Sequence, residues 1–539
     1  MKKYHLLLLS LFFGLLMTLS WPSRGFPFLA LIGWVPLLFL ENYFREHRSR
    51  FKRFSIFFYV LPGFLVWNIL TTYWLYNSTP VGSFLAIGLN SVLMSFVFTL
   101  AHVAGRKLYS HFQGFLLLIM LWISFEYIHL YWDISWPWLN LGNVFSAAPK
   151  AVQWYEYTGA FGGTLYVLLS NGFVFFALKD YLKSKTFSRP VKVNVALALV
   201  LNAGLLISSY LMYSNYEEQG ESHEIVLLQP NLDPYGEQYV IPSQKVVDNM
   251  VMLANKKTTA NTKAVVAPES ALQESIWIEQ LHASVSFRLL KQYVRKHPHL
   301  SFVVGASTYS RIRDTTELPL SARYHEREKF YYKAHNTALF IDTTPRKQVY
   351  HKSKLVAGVE QMPFKRVLDF LPVEKLAIDL GGTVGTLAKS HERKVLYSAD
   401  SLLNAAPVIC YESVYGEFVG NYILNGANVI FIITNDGWWG NTAGYRQHLD
   451  FASIRAIETR KSIARSANTG ITAFINQRGD ILQPTNYWEK DVIRGEVNTN
   501  DIKTFYTRHG DYIARISVFG AVLLLLISIV AKHDRASIR

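Results

Sequence analysis

Cysteine is all but missing from this chain: one thiol, Cys410, stands in 539 residues. No intrachain disulfide can form, so cysteine usage neither favours nor excludes an oxidising compartment. A dense histidine and cysteine cluster is lacking too, and histidines such as His351 and His448 are scattered, so no metal and no organic cofactor is expected. Charge is scarce: 17% of residues are Asp, Glu, Lys or Arg, whereas 50% are apolar and 15% aromatic. That balance is too greasy for an ordinary soluble domain of this length and points to a membrane protein. No internal repeat or low-complexity tract stands out.

What is present is a series of apolar runs. Those long enough to cross a bilayer cover residues 4–21, 26–40, 54–76, 81–104, 115–131, 157–178, 193–212 and 516–531. The second and the last are short by the roughly 20-residue standard. The first has the Lys2-Lys3 start of a signal peptide, but Trp21-Pro-Ser-Arg24 is a poor cleavage site and further spans follow.

Lysine and arginine alternate from loop to loop. They collect before the first span (Lys2, Lys3), after the second (Arg45, Arg48, Arg50, Lys52, Arg53), after the fourth (Arg106, Lys107), after the sixth (Lys179, Lys183, Lys185, Arg189, Lys192) and at the end (Lys532, Arg535, Arg539). The opposite loops carry only Arg24 and Lys150. Basic residues in short loops stay in the cytoplasm, so both termini are expected there, with the long segment between the last two spans facing outward. The net charge of +15 is largely this topological signal, and nucleic acid is not an expected partner.

The boundaries read as a membrane domain over residues 1–213 with seven transmembrane helices, an extracytoplasmic domain over 214–512, and a final transmembrane helix with a cytoplasmic tail over 513–539. Near the outer end of the fifth span, Trp122-Ile-Ser-Phe-Glu126-Tyr-Ile-His129 places an acid and a histidine at membrane depth. Ionisable groups there usually face a protein interior or a wet cavity, which makes Glu126 a functional candidate; the alternative is an interfacial carboxylate. In the outer domain, short β-rich runs at 225–228, 264–267, 302–305, 337–341, 405–409, 428–433 and 471–475 read as strands, with helical patterns at 284–295 and 447–463. About 300 residues of mixed strand and helix suffice for one α/β core.

Polar residues follow these strands directly. Ala264-Val-Val-Ala-Pro-Glu269 delivers a carboxylate, Val349-Tyr-His-Lys352 an ammonium, Val408-Ile-Cys410-Tyr-Glu412 a thiol and a second carboxylate, and Ile432-Ile-Thr-Asn435-Asp436 an amide and an acid. A lone buried cysteine is more often a small hydrophobe than a nucleophile, and single charges at strand ends are more often caps. Active sites of layered α/β proteins collect at strand ends, however, and a nucleophile, a base and an electrostatic stabiliser are the set that acyl transfer requires.

Glu269, Lys352 and Cys410 in that order, with Cys-Tyr-Glu412 and Thr434-Asn-Asp-Gly-Trp-Trp439, resemble the Glu-Lys-Cys triad of the carbon-nitrogen hydrolase (nitrilase) superfamily. Spans before such a domain and one after it narrow the resemblance to the apolipoprotein N-acyltransferase family. Trp136-Pro-Trp-Leu139, Thr158-Gly159 with Gly162, Gln229-Pro-Asn231, Gln447-His-Leu449, Arg455-Ala-Ile-Glu458 and Arg465-Ser-Ala-Asn-Thr-Gly470 fit it as well. Departures exist. After the lysine the family usually reads Leu-Val-Pro-Phe-Gly-Glu, and here Leu355-Val-Ala-Gly-Val-Glu360 stands, so Glu360 carries over by its spacing and the loop shape does not. A family tryptophan after the first soluble strand has no clear match, and Tyr235 or Tyr239 takes its place.

The resemblance implies a multi-span α-helical membrane domain plus an α/β extracytoplasmic domain of nitrilase-like α-β-β-α sandwich type. It implies an acyltransferase of the bacterial inner membrane, with the catalytic domain in the periplasm. Cys410 would take an acyl chain from a phospholipid, phosphatidylethanolamine being the expected donor, and pass it to the α-amine of a diacylated apolipoprotein. Glu269 would act as base, Lys352 and the Tyr411 backbone amide would stabilise the oxyanion, Glu360 and Glu412 would support them, and Tyr239 would touch substrate. The chain is expected to act as a monomer. A membrane-tethered amidohydrolase with the same triad, and a transporter or binding protein with an inactive one, remain the alternatives.

Overall fold

The computed structural model describes residues 2–23, 25–106, 110–238, 240–364 and 386–537, with side chains to residue 530. Arg24, Lys107, Tyr239 and Arg539, named above, lie outside the described residues, as do the side chains of Lys532 and Arg535. The chain divides into two compact units: Met1–Tyr73, Ser83–Asn215 and His509–Arg539 form one, and Trp74–Gly82 with Tyr216–Arg508 form the other.

In the first unit the long apolar runs are helices, the one open-ended structure that satisfies every backbone group without water. Among the described residues, Lys3–Ser20, Pro27–Glu46, Pro80–Gly105, His111–Ile128, Tyr155–Ser184, Arg189–Asn215 and Tyr512–Val530 are long and apolar enough to cross a membrane, and Ile56–Thr72 is a shorter apolar helix. The second run is longer than hydropathy indicates, because Pro27 opens a 3-10 turn and the helical path continues to Glu46. The third is shorter than 54–76: the helix ends at Thr72, and Trp74–Gly82 belong to the second unit. Within Tyr155–Ser184, Gly159 breaks the helix at φ 60° and ψ −173°, a conformation that only glycine adopts without strain.

Glu126 is not an interfacial carboxylate. It is 2% exposed; Trp122 Nε1 and the Leu141 amide donate to Oε1 at 3.0 and 2.8 Å, and Thr164 Oγ1 donates to Oε2 at 2.7 Å. The carboxylate thereby ties three stretches of chain together.

The second unit carries the strands β1 (Glu221–Gln229), β2 (Thr262–Val266), β3 (Leu272–Trp277), β4 (Ser301–Arg311), β5 (Arg323–His325), β6 (Phe330–Ile341), β7 (Gln348–His351), β8 (Leu396–Tyr397), β9 (Asn404–Ile409), β10 (Val429–Thr434), β11 (Ile463–Ala467), β12 (Ala473–Ile475), β13 (Ile481–Leu482) and β14 (Asp491–Thr499). One sheet runs β14-β1-β2-β4-β6-β5, with β3 on β4 and β7 on β6; the other runs β13-β12-β11-β10-β9-β8. Neighbours β1, β2 and β4 are parallel, as are β9, β10 and β11.

Burial on both faces explains why the central strands read as unbroken apolar runs rather than alternating ones. Val226 and Leu228 of β1, Val304 of β4 and Leu339 of β6 pack with Val246 and Met250 of helix Ser243–Asn255 and with Leu290 and Val294 of helix Val285–Lys296. The opposite face meets the second sheet, where Ser466 Oγ of β11 donates to the Leu228 carbonyl at 2.7 Å. Helices Gly416–Leu424 and Gly444–Thr459 lie against that second sheet. The result is the α-β-β-α sandwich that the nitrilase resemblance implies.

The helix read over 447–463 spans Gly444–Thr459 and is closed by Arg460 at φ 51°, after which the chain enters β11.

Candidate active site

Four strand ends converge. Glu269 follows β2, Lys352 follows β7, Cys410 follows β9 and Asn435 follows β10. The loop after β2 crosses β4 so closely that a Cβ on Gly305 would sit 2.5 Å from Glu269 Cα, so this position demands glycine. Lys352 Nζ donates to Glu269 Oε1 and to Glu360 Oε1, each at 2.9 Å. Asn336 of β6 spans the same two carboxylates, its Nδ2 donating to Glu269 Oε1 at 2.7 Å and to Glu360 Oε1 at 3.1 Å. The Asn435 amide donates to Glu269 Oε2 at 3.1 Å. Both oxygens of Glu269 are thus engaged as acceptors.

The electrostatics follow from burial and charge. Burial disfavours the Lys352 cation, but Glu269 and Glu360 outweigh it and hold the amine charged well above its ordinary range. The Cys410 thiol moves the other way. Burial pushes it well above the usual thiol range, the Glu269 carboxylate pushes further, and Lys352 opposes them. A resting thiol in this setting is neutral, and forming the thiolate nucleophile requires a base in the site.

Cys410 sits at φ 51° on the turn that leaves β9, a left-handed conformation that a non-glycine residue holds only when its surroundings enforce it. Glu412 supplies part of that enforcement. Its Oε2 accepts from the Ile409 amide at 2.9 Å, and its Oε1 accepts from Tyr350 Oη at 2.7 Å and the Ser353 amide at 2.6 Å. Glu412 therefore grips the backbone on both sides of the site without touching the Lys352 ammonium, and burial pushes its carboxyl up.

A second buried cluster lies behind the thiol. Cys410, Asp436 and His448 have ligand-type atoms within 4.8 Å of one another. The residues do not fit a metal. Asp436 Oδ1 lies 2.9 Å from His448 Nδ1 and its Oδ2 accepts from Arg465 Nη2 at 2.5 Å, and the guanidinium already holds the positive charge that a cation would bring. Burial raises the Asp436 carboxyl, but Arg465 and His448 outweigh it and hold it well below the usual carboxylate range.

Of the residues singled out from sequence, Glu269, Lys352 and Glu360 are joined by hydrogen bonds, Cys410 lies within electrostatic reach of Glu269 and Lys352, and Glu412 buttresses the loops. Tyr411 is buried with its ring 5.3 Å from that of Tyr415. Tyr235 is exposed, and its hydroxyl lies 3.1 Å from the Asn77 carbonyl and 3.0 Å from that of Trp438. Sequence reasoning missed Asn336, which bridges two acids from mid-strand. It also missed Gln238, which accepts from Asn435 Nδ2 at 2.9 Å and donates to the Ser270 carbonyl at 2.8 Å. His448, one of the scattered histidines, is buried against the Cys410 turn.

Residues 13–173 match the apolipoprotein N-acyltransferase N-terminal domain, and residues 246–506 match the carbon-nitrogen hydrolase family. An apolipoprotein N-acyltransferase from Chlorobaculum tepidum is 27% identical over 546 residues, spanning 99% of this chain and 97% of that one. One from Geobacter metallireducens is 28% identical over 527 residues, spanning 96% and 94%. Both halves of the chain thus match along nearly their whole length. The chain belongs to the apolipoprotein N-acyltransferase family, within the carbon-nitrogen hydrolase superfamily.

Proposed function

We propose that this membrane protein is an N-acyltransferase that moves an acyl chain from a phospholipid, through a thioester on Cys410, to the N-terminal α-amine of the S-diacylglyceryl cysteine of apolipoproteins. The observation that carries this reading is the Lys352 ammonium shared by Glu269 and Glu360 at 2.9 Å, with the buried Cys410 thiol within its electrostatic reach. Phosphatidylethanolamine is the donor expected.

In the first half-reaction Glu269 takes the Cys410 proton as the sulfur attacks the ester carbonyl. Lys352 and the Tyr411 peptide N–H stabilise the oxyanion that forms. The C–O bond breaks, Glu269 returns the proton to the departing alkoxide, and lysophospholipid leaves a thioester behind. In the second half-reaction the acceptor amine attacks that thioester. A C–N bond forms, the C–S bond breaks, Glu269 takes the amine proton, and the expelled thiolate recovers one. Glu360 keeps the ammonium aimed, and Glu412 keeps the two loops in register.

The apolar helices have a physical role in this scheme. Donor and acceptor both keep acyl chains in the bilayer, and a soluble enzyme would have to extract them at about 0.8 kcal/mol per CH₂. The alternation of basic loops supports cytoplasmic termini and a catalytic unit on the outer side of a bacterial inner membrane.

The test is to incubate the purified protein with acyl-labelled phosphatidylethanolamine and a diacylated lipopeptide. Label on the peptide amine is the expected outcome. Free fatty acid alone would mean that water is the acceptor, as in an amidohydrolase, and no thioester at Cys410 would sink both enzymatic readings.

A further inference from the structure

The peptide bond between Cys410 and Tyr411 is planar, so its carbonyl and its N–H point in opposite directions along one rigid plate. Whatever fixes the carbonyl also fixes the N–H assigned above to the oxyanion. In this structure the carbonyl is held firmly: Ser413 Oγ donates to it at 2.8 Å, and His448 Nε2 lies 3.1 Å from it. The other ring nitrogen, Nδ1, faces Asp436 Oδ1 at 2.9 Å. The carbonyl can only accept, so its contact with the ring is a hydrogen bond from Nε2; Ser413 Oγ lies 3.0 Å from that same nitrogen, and Arg465 Nη2 lies 3.3 Å from Nδ1.

The anchoring chain runs further. Asp436 also accepts from Thr434 Oγ1 at 2.7 Å and from Arg465 Nη2 at 2.5 Å, and Arg465 Nη1 donates to the Ile471 carbonyl. His448 comes from helix Gly444–Thr459, Asp436 from the loop after β10, and Arg465 from the middle of β11. Members of the chain thus sit on three separate elements, and His448, Asp436 and Arg465 are each fully buried. A connected, desolvated network of this kind strengthens each of its bonds and fixes geometry.

We propose that His448 is a positioning residue for acyl transfer: through the Cys410 carbonyl it turns the Tyr411 N–H toward the oxyanion, with Asp436 and Arg465 fixing the ring and Ser413 sharing the carbonyl. This role rests on the acyl-enzyme reading and adds to it the origin of the oxyanion site. It also accounts for the left-handed turn at Cys410, since the donors on its carbonyl hold the turn in place.

Two rates on the full-length protein separate positioning from mere packing. Thioester formation from phosphatidylethanolamine needs an oriented oxyanion donor, whereas alkylation of Cys410 by iodoacetamide passes through no oxyanion. His448→Leu should slow thioester formation about 100-fold, the scale of losing one oxyanion donor, with alkylation unchanged within about 2-fold. His448→Gln, whose side-chain N–H can stand near the Nε2 position, should recover most of the lost rate. Ser413→Ala removes less volume and should slow thioester formation about 10-fold, again sparing alkylation.

If His448→Leu fails to fold, the Ser413→Ala and His448→Gln variants decide the matter. Unchanged thioester formation in Ser413→Ala, or parallel losses of thioester and alkylation across the variants, would overturn the proposal. Absence of thioester on the unaltered protein would instead remove the acyl-enzyme reading beneath it.

Discussion

Each unit of the molecule buries a fully bonded glutamate, and the two could hardly differ more in use. Glu126, in the helical unit, accepts from an indole, a peptide amide and a hydroxyl. Glu269, in the sandwich, accepts from a peptide amide, a carboxamide and the Lys352 ammonium, with a thiol in electrostatic reach. Burial is similar, 2% exposed for the first and 6% for the second. What separates them is a cation and a thiol. A carboxylate whose donors are all neutral stabilises a fold, whereas one that shares a cation and faces a thiol has a proton to exchange and a charge to balance.

The largest effect is expected at Cys410. Cys410→Ala should abolish the acyl-enzyme altogether, and an acyl adduct that persists on that variant would mean the wrong residue has been assigned. Next comes the base. Glu269→Gln should slow thioester formation about 1000-fold, yet the midpoint pH of Cys410 alkylation should fall, because removing a negative neighbour favours the thiolate. A thioester rate close to normal, measured by intact mass against time, would place the base elsewhere.

Lys352→Met should slow both half-reactions about 100-fold and move the alkylation midpoint upward, since the ammonium is what opposes the rise in the thiol. A shift in the opposite direction would contradict the charge assignment. Glu360→Gln keeps the acceptor of the Val356 amide but loses the second charge on Lys352, and about a 10-fold loss of turnover is expected. At the far end of the scale, Glu126→Gln should leave turnover at moderate temperature within about 3-fold while lowering the unfolding midpoint, in keeping with the roughly 1–3 kcal/mol cost of one unsatisfied buried donor. Turnover lost with unchanged stability would turn Glu126 into a participant and erase the distinction drawn here.

Much of this was readable in the sequence for a physical reason. Strands covered on both faces read as apolar runs, so the residue that follows such a run, Glu269 after β2 or Cys410 after β9, stands out against it. Asn336 did not stand out because it lies inside β6, where a single amide looks like any mid-strand polar residue until its two carboxylate partners arrive from distant loops. Arg465 offered a signal that went unused: a cation in the apolar run Ile463–Ala467 needs a buried acid, and Asp436 is that acid. β11 is not among the strands read from sequence: the helix read over 447–463 runs into its first residue, and only the left-handed Arg460 marks the break. The aromatic stretch after Thr72 read as membrane span, yet Trp74 packs against Trp439 at 4.7 Å between ring centres, and Asn77 Nδ2 donates to the Trp439 carbonyl at 2.8 Å. Hydropathy measures transfer out of water and does not distinguish lipid from a protein partner.

The most direct measurement is mass spectrometry of the purified protein after exposure to phosphatidylethanolamine alone. One acyl chain is expected on the peptide that contains Cys410, released by hydroxylamine and by the lipopeptide amine. An unmodified Cys410 together with released fatty acid, or an acyl chain on any other residue, would contradict this expectation.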